Sequence, residues 1–277
     1  QIVRNTEWSI KGNFLDQPTD CPTRERAGWT GDAQLFFNTG TYFFDMAAFF
    51  RKWLRDIRDL QRSDGMVYNI VPSMPKNRRF WEWFSMEGSC GWGDAAITIP
   101  YYWWKRYGDN RIIHTQWDSM KKCFEFYKRR MGKRNLFSLL TLKPGKYGAY
   151  ICGKGRDFGE WTEPKDCAPG KLTLLFPHPE EATAYLSYCA DIMAKMADQV
   201  GKNPEYYRDI AQKTAIAYRE YFLGPKIKRT KRMCKLVRPI ALNLVDQHQR
   251  KMLLESAVQL NRSRNYRVGT GFLTTPY

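Results

Sequence analysis

The 277-residue sequence lacks several features that mark whole classes of protein. No apolar run approaches the roughly 18 residues that a membrane-spanning helix needs, so we expect no membrane partner. The first residues, QIVRNTEWSI, have neither the basic region nor the apolar core of a signal peptide. Because residue 1 is not Met, we expect a processed chain or an internal piece. Strand-like alternation is nearly absent, and YGAYICG at 147–153 is its best candidate.

Patterns typical of metal sites and disulfide frameworks are also scarce. The seven cysteines are scattered, no CxxC occurs, and the three histidines lie far apart in sequence. We therefore expect no metal site, no cofactor and no disulfide framework. Scattered cysteines of this kind are typical of small buried side chains in a reducing compartment. That favours the cytoplasm, and secretion without disulfides stays open as the alternative.

Positive charge, in contrast, is abundant, with 45 Lys and Arg against 28 Asp and Glu and a net charge of +17. The densest stretch is PKIKRTKRMCKLVR at 225–238, here called the basic segment, which has seven basic residues and no acidic one. We interpret it as a solvent-facing surface. A basic helical protein that binds nucleic acid is the alternative. The segment lacks the interleaved aromatic residues that stack on bases, so we expect no nucleic-acid partner.

Helical periodicity dominates the rest of the chain, and no Ser-, Gly- or Pro-rich linker interrupts it. It predicts helices at 39–62, 92–106, 111–131, 178–201, 204–222, 237–246 and 247–261. Long loops are predicted at 14–38, 63–92, 132–178 and 223–236. We predict a single all-α domain over residues 1–277. Long helices that arrive in pairs favour an α-solenoid or a closed α/α toroid.

The predicted loop FLDQPTDCPTRERAGWTGDAQ at 14–34 concentrates residues that could recognise a sugar. They are four carboxylates, two arginines and a tryptophan: Asp16, Asp20, Glu25, Asp32, Arg24, Arg26 and Trp29. Carboxylates bind hydroxyls or transfer protons, and an aromatic face stacks on the C–H face of a pyranose ring. The alternative interpretation is a surface loop with local ion pairs.

Two further segments share this composition of acids, Trp and Gly. WEWFSMEGSCGWGDAA at 81–96 presents Trp92 and Asp94, and KGRDFGEWTEPKDC at 154–167 presents Glu160 and Trp161. Each has a structural alternative. For the first segment it is a helix N-cap at Asp94, and for the second it is an ordinary glycine turn in a long loop. Three distant segments of one unusual composition favour a shared carbohydrate pocket.

DQPTDCPTRERAGWTGDAQ at 16–34 resembles the signature of the α-L-rhamnosidases of glycoside hydrolase family 78. Four shorter motifs are similar to that family and in its order: GWGDAA at 91–96, DFGEW at 157–161, HPEEATAY at 178–185 and GTGFLTTP at 269–276. Residues 223–240 fit poorly. The resemblance implies an (α/α)6 toroid, here incomplete at its C-terminus and without β-rich accessory domains. It also implies inverting hydrolysis that releases terminal α-L-rhamnose from glycosides or polysaccharides.

The resemblance implies a role for each of eight residues. Glu25 is the general acid, and the substrate-binding residues are Asp20, Arg24, Trp29, Asp32, Trp92, Asp94 and Trp161, of which the last three either contact the sugar ring or order their loops. The acid role requires the carboxyl of Glu25 to face Trp29 and not its Arg neighbours. We expect Asp32 to stay ionised, because sugar hydroxyls and nearby Arg favour its charged form. We also expect the three loops to converge on one concavity.

An inverting glycosidase needs a second carboxylate about 6.5–9.5 Å from the acid, to activate water. In the family this general base is a Glu downstream of GTGFLTTP, so we expect it to be missing from this chain. Glu160 or Glu181 are substitutes that no sequence pattern supports. An inactive carbohydrate-binding fragment of the same fold is the alternative function. An incomplete toroid also exposes helix faces, so self-association is a further expectation.

Overall fold

The computed structural model describes residues 1–73, 86–134, 145–167 and 177–277. These ranges contain nine α-helices and no β-strand, and only isolated bridges replace sheet pairing. The all-α prediction is therefore confirmed. Within the same ranges, no helix combines the length and the apolar character needed to span a bilayer.

Within these ranges the helices alternate with turns. They are α1 Ile2–Asn13, α2 Thr30–Phe43, α3 Ala47–Leu60, α4 Ala95–Tyr107, α5 Arg111–Lys128, α6 Pro179–Gln199, α7 Glu205–Phe222, α8 Cys234–Ala241 and α9 Gln247–Ser263. Short 3₁₀ turns occupy Gly148–Tyr150 and Pro225–Arg229. The predicted helices from residue 92 onward thus lie within three residues of the observed ones, except that the helix predicted at 237–246 is observed at Cys234–Ala241.

The single helix predicted over 39–62 is wrong, because the chain breaks between α2 and α3. Phe44 is extended, and the Asp45 carboxylate accepts a hydrogen bond from the Ala47 N–H at 2.9 Å. The Met46 N–H donates to the Tyr107 hydroxyl at 3.1 Å. That partner lies on α4, so a tertiary contact interrupts a locally continuous helical pattern.

Three other sequence predictions differ from the structure. The expected loop at 14–38 ends early, because α2 begins at Thr30. α1 was not predicted, and only its Ile10 is buried. The strand predicted at 147–153 is wrong, since that stretch forms a 3₁₀ turn and one bridge from Gly153 to Arg134. Residues 81–85 of the second predicted segment lie outside the described residues.

The chain divides into two compact units, which are described separately. The first comprises Gln1–Phe126 and Lys195–Asn203, and the second comprises Tyr127–Ala194 and Pro204–Tyr277. The single-domain assignment stays a prediction. In the first unit, α4 packs on α2 and α3. Edge-to-face contacts join Phe37, Phe50 and Trp53 on α2 and α3 in a core of fully buried rings.

In the second unit, α8 packs on α9. Leu236 and Ile240 on α8 and Leu253 on α9 form a buried cluster with Ile227 of the preceding 3₁₀ turn. Pro239 lies inside the short helix α8. An aspartate at position 246 caps α9, with its carboxylate accepting from the Gln249 N–H at 2.8 Å. These contacts place the basic segment against the core of the unit, with consequences described below.

Candidate functional site

The acidic loop, defined here as residues 16–32, includes the first turn of α2 and closes on itself just before that helix. The Asp20 N–H donates to the Ala27 carbonyl at 3.1 Å, and the Asp20 carboxylate accepts from the Ala27 N–H at 3.0 Å. The Glu25 N–H also donates to Cys21 Sγ at 3.1 Å. This reciprocal closure brings Asp20 and Glu25 back toward the start of α2.

The carboxylate of Glu25 contacts both kinds of neighbour that the sequence offered as alternatives. Its Oε2 accepts from Trp29 Nε1 at 2.9 Å, and its Oε1 accepts from the Arg24 guanidinium at 2.9 Å. The two alternatives therefore occur together, and the condition that the acid role sets, contact with Trp29 and not with arginine, is met only in part. The side chain of Glu25 is 40% exposed and that of Arg24 is 81% exposed, so this pair lies at the surface.

Asp32, in the first turn of α2, responds to the other two carboxylates. Its pKa is raised from the ordinary value of 3.8 to about 6, chiefly because burial disfavours the charge. The negative charges of Asp20 and, more weakly, Glu25 also raise the pKa, while the backbone N–H of Asp32 opposes them. The direction is opposite to the expectation that its charged form is favoured. These three carboxylates therefore lie close enough to interact.

A backbone contact that only glycine permits anchors the acidic loop. A Cβ on Gly28 would lie 2.0 Å from the Val71 carbonyl oxygen. The Val71 N–H donates to the Gly28 carbonyl at 2.8 Å, and Trp53 Nε1 donates to the Val71 carbonyl at 2.9 Å. The Thr30 N–H donates to the Asn69 carbonyl at 2.8 Å. Residues 69–71 thus fix the position of the loop on the core.

Trp92 lies beneath the start of α2. It is 3% exposed, and a Cβ on Gly31 would lie 2.6 Å from its Nε1. Of the two roles that the resemblance left open for Trp92, contact with a sugar ring or ordering of a loop, this burial favours the second. The small size of Gly31 lets the indole support the turn that holds Asp32.

Asp94 orders the loop before α4. It is buried, and its carboxylate accepts from the Gly91 N–H and makes no side-chain cap to α4. Gln34 on α2 donates to the Gly91 carbonyl and accepts from the Thr98 hydroxyl at 2.7 Å. Neither Gln34 nor Thr98 was predicted from the sequence. Gln34 is the last residue of the TGDAQ motif, which was its only sequence signal, and Thr98 had none.

Trp161 belongs to the second unit, so the convergence of all three loops stays a prediction. Its side chain is 40% exposed, and its ring makes an edge contact with Phe158 at 5.6 Å between centroids. The neighbouring Glu160 is buried and accepts from the Arg238 guanidinium. Glu160 also accepts from the N–H and hydroxyl of Thr274, at 2.9 and 2.6 Å.

Glu181 is also paired with arginine. One carboxylate oxygen lies 3.7 Å from Arg238 and 3.8 Å from Arg232. Burial alone would raise its pKa, but the charges of Arg238, His178 and Arg232 lower it to about 2. Both carboxylates considered as substitute bases, Glu160 and Glu181, are therefore engaged with buried cations.

The basic segment is only partly solvent-facing, which corrects the interpretation of the sequence. Four of its basic side chains are exposed, at Lys226, Lys228, Arg229 and Lys231. Arg238 is 1% exposed and Arg232 lies 2.9 Å from the Glu163 carboxylate. The segment is not a uniform charged surface, because Arg232 and Arg238 pair with carboxylates from other segments.

Within the described ranges, no group of three or more His, Cys, Asp or Glu has the geometry to hold a metal ion. The candidate site in the first unit therefore consists of three interacting carboxylates, an indole N–H and a guanidinium. Such a set can bind sugar hydroxyls, stabilise positive charge and transfer a proton.

Comparisons with known proteins identify the family of the chain. The family model described as the bacterial alpha-L-rhamnosidase 6 hairpin glycosidase domain matches residues 1–277. An alpha-L-rhamnosidase of Streptomyces avermitilis is 30% identical over 279 residues, covering all of this chain and 24% of that protein. One of Alteromonas sp. (strain LOR) is 30% identical over 290 residues, covering all of this chain and 28% of that protein.

Solved structures give the same result. The S. avermitilis alpha-L-rhamnosidase complexed with L-rhamnose aligns with a TM-score of 0.79 at 28% identity, over 99% of this chain and 24% of that one. The alpha-L-rhamnosidase from Dictyoglumus thermophilum aligns with a TM-score of 0.78 at 28% identity, over 100% of this chain and 30% of that one. The fold is that of a six-hairpin glycosidase domain. The chain belongs to the bacterial α-L-rhamnosidase family and spans 24% to 30% of the lengths of these relatives.

Proposed function

We propose that the protein containing this chain is an inverting glycoside hydrolase that releases terminal α-L-rhamnose from rhamnose-containing glycosides or polysaccharides. The observation that carries the proposal is the interacting set of Asp20, Glu25 and Asp32, which lies in a domain matched to the rhamnosidase family from end to end. Nearby relatives named alpha-L-rhamnosidase support the choice of sugar.

Glu25 is the general acid in this proposal. Its carboxyl is partly exposed, so a leaving-group oxygen can reach it, and the Trp29 indole N–H fixes its orientation. Proton transfer from Glu25 to the departing oxygen would relieve the negative charge that develops there. Asp20 and Asp32 would hold sugar hydroxyls and stabilise the positive charge on the ring. Arg24 and Trp29 are the other substrate-binding residues of this loop.

We assign the general base to neither Glu160 nor Glu181. Glu160 accepts three hydrogen bonds from Arg238 and Thr274. The pKa of Glu181 is lowered to about 2 by surrounding cations that outweigh burial, and a carboxylate so stabilised is a poor proton acceptor. Trp92 and Asp94 act in this proposal by ordering their loop, and Trp161 by contact with a sugar.

Carbohydrate binding without chemistry is the second candidate function, and one observation favours it. Both carboxylate oxygens of Glu25 already accept hydrogen bonds, from Arg24 and Trp29. A carboxylate engaged in this way can hold a hydroxyl-rich ligand without donating a proton. L-Rhamnose that binds measurably but is never released from an aryl rhamnoside would support this alternative.

The test uses the whole protein with aryl α-L-rhamnosides whose leaving groups differ in pKa. Glu25→Gln should slow hydrolysis of a poor leaving group by about 10²–10⁴, because that group needs a proton to depart. It should slow an activated leaving group far less. Asp32→Asn should slow both about equally, since it acts on the sugar, and Glu255→Gln on the exposed face of α9 is the matched control.

Equal losses on both substrates for Glu25→Gln would show that Glu25 is not the acid. If the unaltered protein binds L-rhamnose without turnover of either substrate, the catalytic proposal is wrong and the binding alternative holds.

A further inference from the structure

The loop that presents Trp161 has an unusual backbone. Gly159 has φ +63° and Thr162 has φ +58°, so left-handed residues lie on both sides of Glu160 and Trp161. Thr is β-branched, and this conformation is rare and unfavourable for such residues. Surrounding contacts must therefore hold the loop in place.

The strongest of these contacts is a clamp on Glu160. Arg238 donates to Glu160 through one guanidinium nitrogen and to Glu180 through another. Glu180 lies at the start of α6 and also accepts from the Tyr218 hydroxyl on α7. The planar fork of arginine can bind two separate carboxylates at once, which lysine cannot reproduce. Arg238 thereby ties the Trp161 loop to the helical core of the second unit.

The C-terminal segment completes the clamp. The Thr274 N–H and hydroxyl donate to the two oxygens of Glu160, at 2.9 and 2.6 Å. The Phe272 N–H donates to the Trp161 carbonyl at 2.7 Å. A Cβ on Gly271 would lie 2.7 Å from that same oxygen, so only glycine lets the two backbones approach so closely.

We propose that Arg238 and Thr274 are positioning residues, which hold Trp161 as a rigid and exposed aromatic surface against which a sugar ring stacks. The clamp holds Glu160, and the next residue in the chain is Trp161, which is 40% exposed. An aromatic ring fixed before the ligand arrives loses little conformational entropy on binding. The proposal rests on the proposed function for the identity of the ligand, and on the contacts above for the clamp itself.

Thr274→Val in the whole protein tests the clamp most gently. It removes the hydroxyl that bonds Glu160 but leaves Arg238 and the Thr274 N–H in place. Thr270→Val is the matched control, because its hydroxyl pairs with Thr275 and makes no contact with Glu160. Two readouts are needed: oxidation of Trp161 by hydroxyl radicals, located by mass spectrometry, and steady-state kinetics on an aryl rhamnoside.

Thr274→Val should change the oxidation rate of Trp161 and raise KM by roughly three- to tenfold, with kcat nearly unchanged. A merely structural role would lower the active fraction, and so lower kcat at constant KM. Arg238→Lys should give the same pattern more strongly, whereas Thr270→Val should leave both readouts unchanged. The proposal is overturned if Thr274→Val and Arg238→Lys alter neither the oxidation of Trp161 nor KM.

The outcome separates the two proposals. If the unaltered protein does not turn over rhamnosides, the proposed function fails, and the oxidation of Trp161 still decides whether the clamp positions it. If turnover is normal and Trp161 oxidises equally in all variants, the clamp proposal fails alone.

Discussion

The acidic loop of the first unit and the arginine clamp of the second contain the same kinds of residue in opposite arrangements. In the acidic loop, three carboxylates act on one another, and the pKa of Asp32 is raised to about 6, mainly by burial. In the clamp, carboxylates surround buried arginine, and the pKa of Glu181 is lowered to about 2 by cations that outweigh burial. The first arrangement leaves Glu25 partly exposed, whereas the second keeps its carboxylates buried around arginine.

This difference shows why composition alone assigned function poorly. The segments at 14–34 and 154–167 share acids, arginines, glycines and a tryptophan. The ion pairs that form between segments decide which carboxylate remains available. Breaking a buried pair is strongly unfavourable, because it leaves a buried charge without its partner. The four predictions that follow break or sharpen this contrast, beginning with the largest expected effect.

The clamp should be far more sensitive than the exposed part of the basic segment. Arg238→Met leaves Glu160 and Glu180 buried without their cation and should lower the free energy of unfolding by about 3–5 kcal/mol. Arg229→Met, an exposed change in the same segment, should stay within about 0.5 kcal/mol. Denaturant unfolding measures both. Similar losses for the two variants would contradict the contrast.

The anchor of the acidic loop should tolerate no side chain. Gly28→Ala places a Cβ against the Val71 carbonyl and should lower the free energy of unfolding by about 3 kcal/mol. Gly12→Ala, on α1 with nothing within 4 Å, should instead stabilise by about 0.5–1 kcal/mol. Thermal unfolding of both variants measures the difference. A neutral Gly28→Ala would mean that residues 69–71 do not hold the loop.

Neutralising one carboxylate in each unit should change stability with opposite signs. Asp32 has a raised pKa, so its ionisation opposes folding as pH rises from about 4 to about 6. Asp32→Asn should therefore stabilise the protein at pH 7 by about 1–3 kcal/mol, and the gain should vanish below pH 4. Unfolding curves recorded across this pH range measure it.

Glu181 has a lowered pKa, so its charge stabilises the fold above its ordinary value of 4.5 and that stability is lost as pH falls toward 2. Glu181→Gln should therefore destabilise the protein at pH 7, with a difference that closes in acid. If both amide variants shifted stability in the same direction, the two sites would not differ as described.

How well each part of the fold could be predicted from the sequence depends on whether its contacts are local or distant in the chain. α5, α6 and α7 were predicted well, because their own apolar spacing and their starting residues specify them. The break at Phe44–Met46 depends on Tyr107, and α1 buries only Ile10, so neither has a local signal. The carboxylates of the acidic loop were found because they are close in sequence.

The clamp could not be predicted for the same reason. Arg238 is 78 residues from Glu160 and lies in the stretch that resembled the family least. Its run of neighbouring lysines predicts an exposed surface, and only the fold reveals that α8 turns this arginine inward. Asp94 does occupy the N-cap position that was the structural alternative for it, but its carboxylate turns back to Gly91 and does not cap α4.

The central claim is that Asp20, Glu25 and Asp32 form one interacting set, and the titration of Asp32 tests it most directly. Carboxyl chemical shifts followed by NMR should give Asp32 a pKa of about 6, and Asp20→Asn should lower that pKa. Asp16→Asn, which alters a carboxylate paired with Lys52, should leave it unchanged. A pKa near 3.8 for Asp32, with no response to Asp20→Asn, would contradict the account.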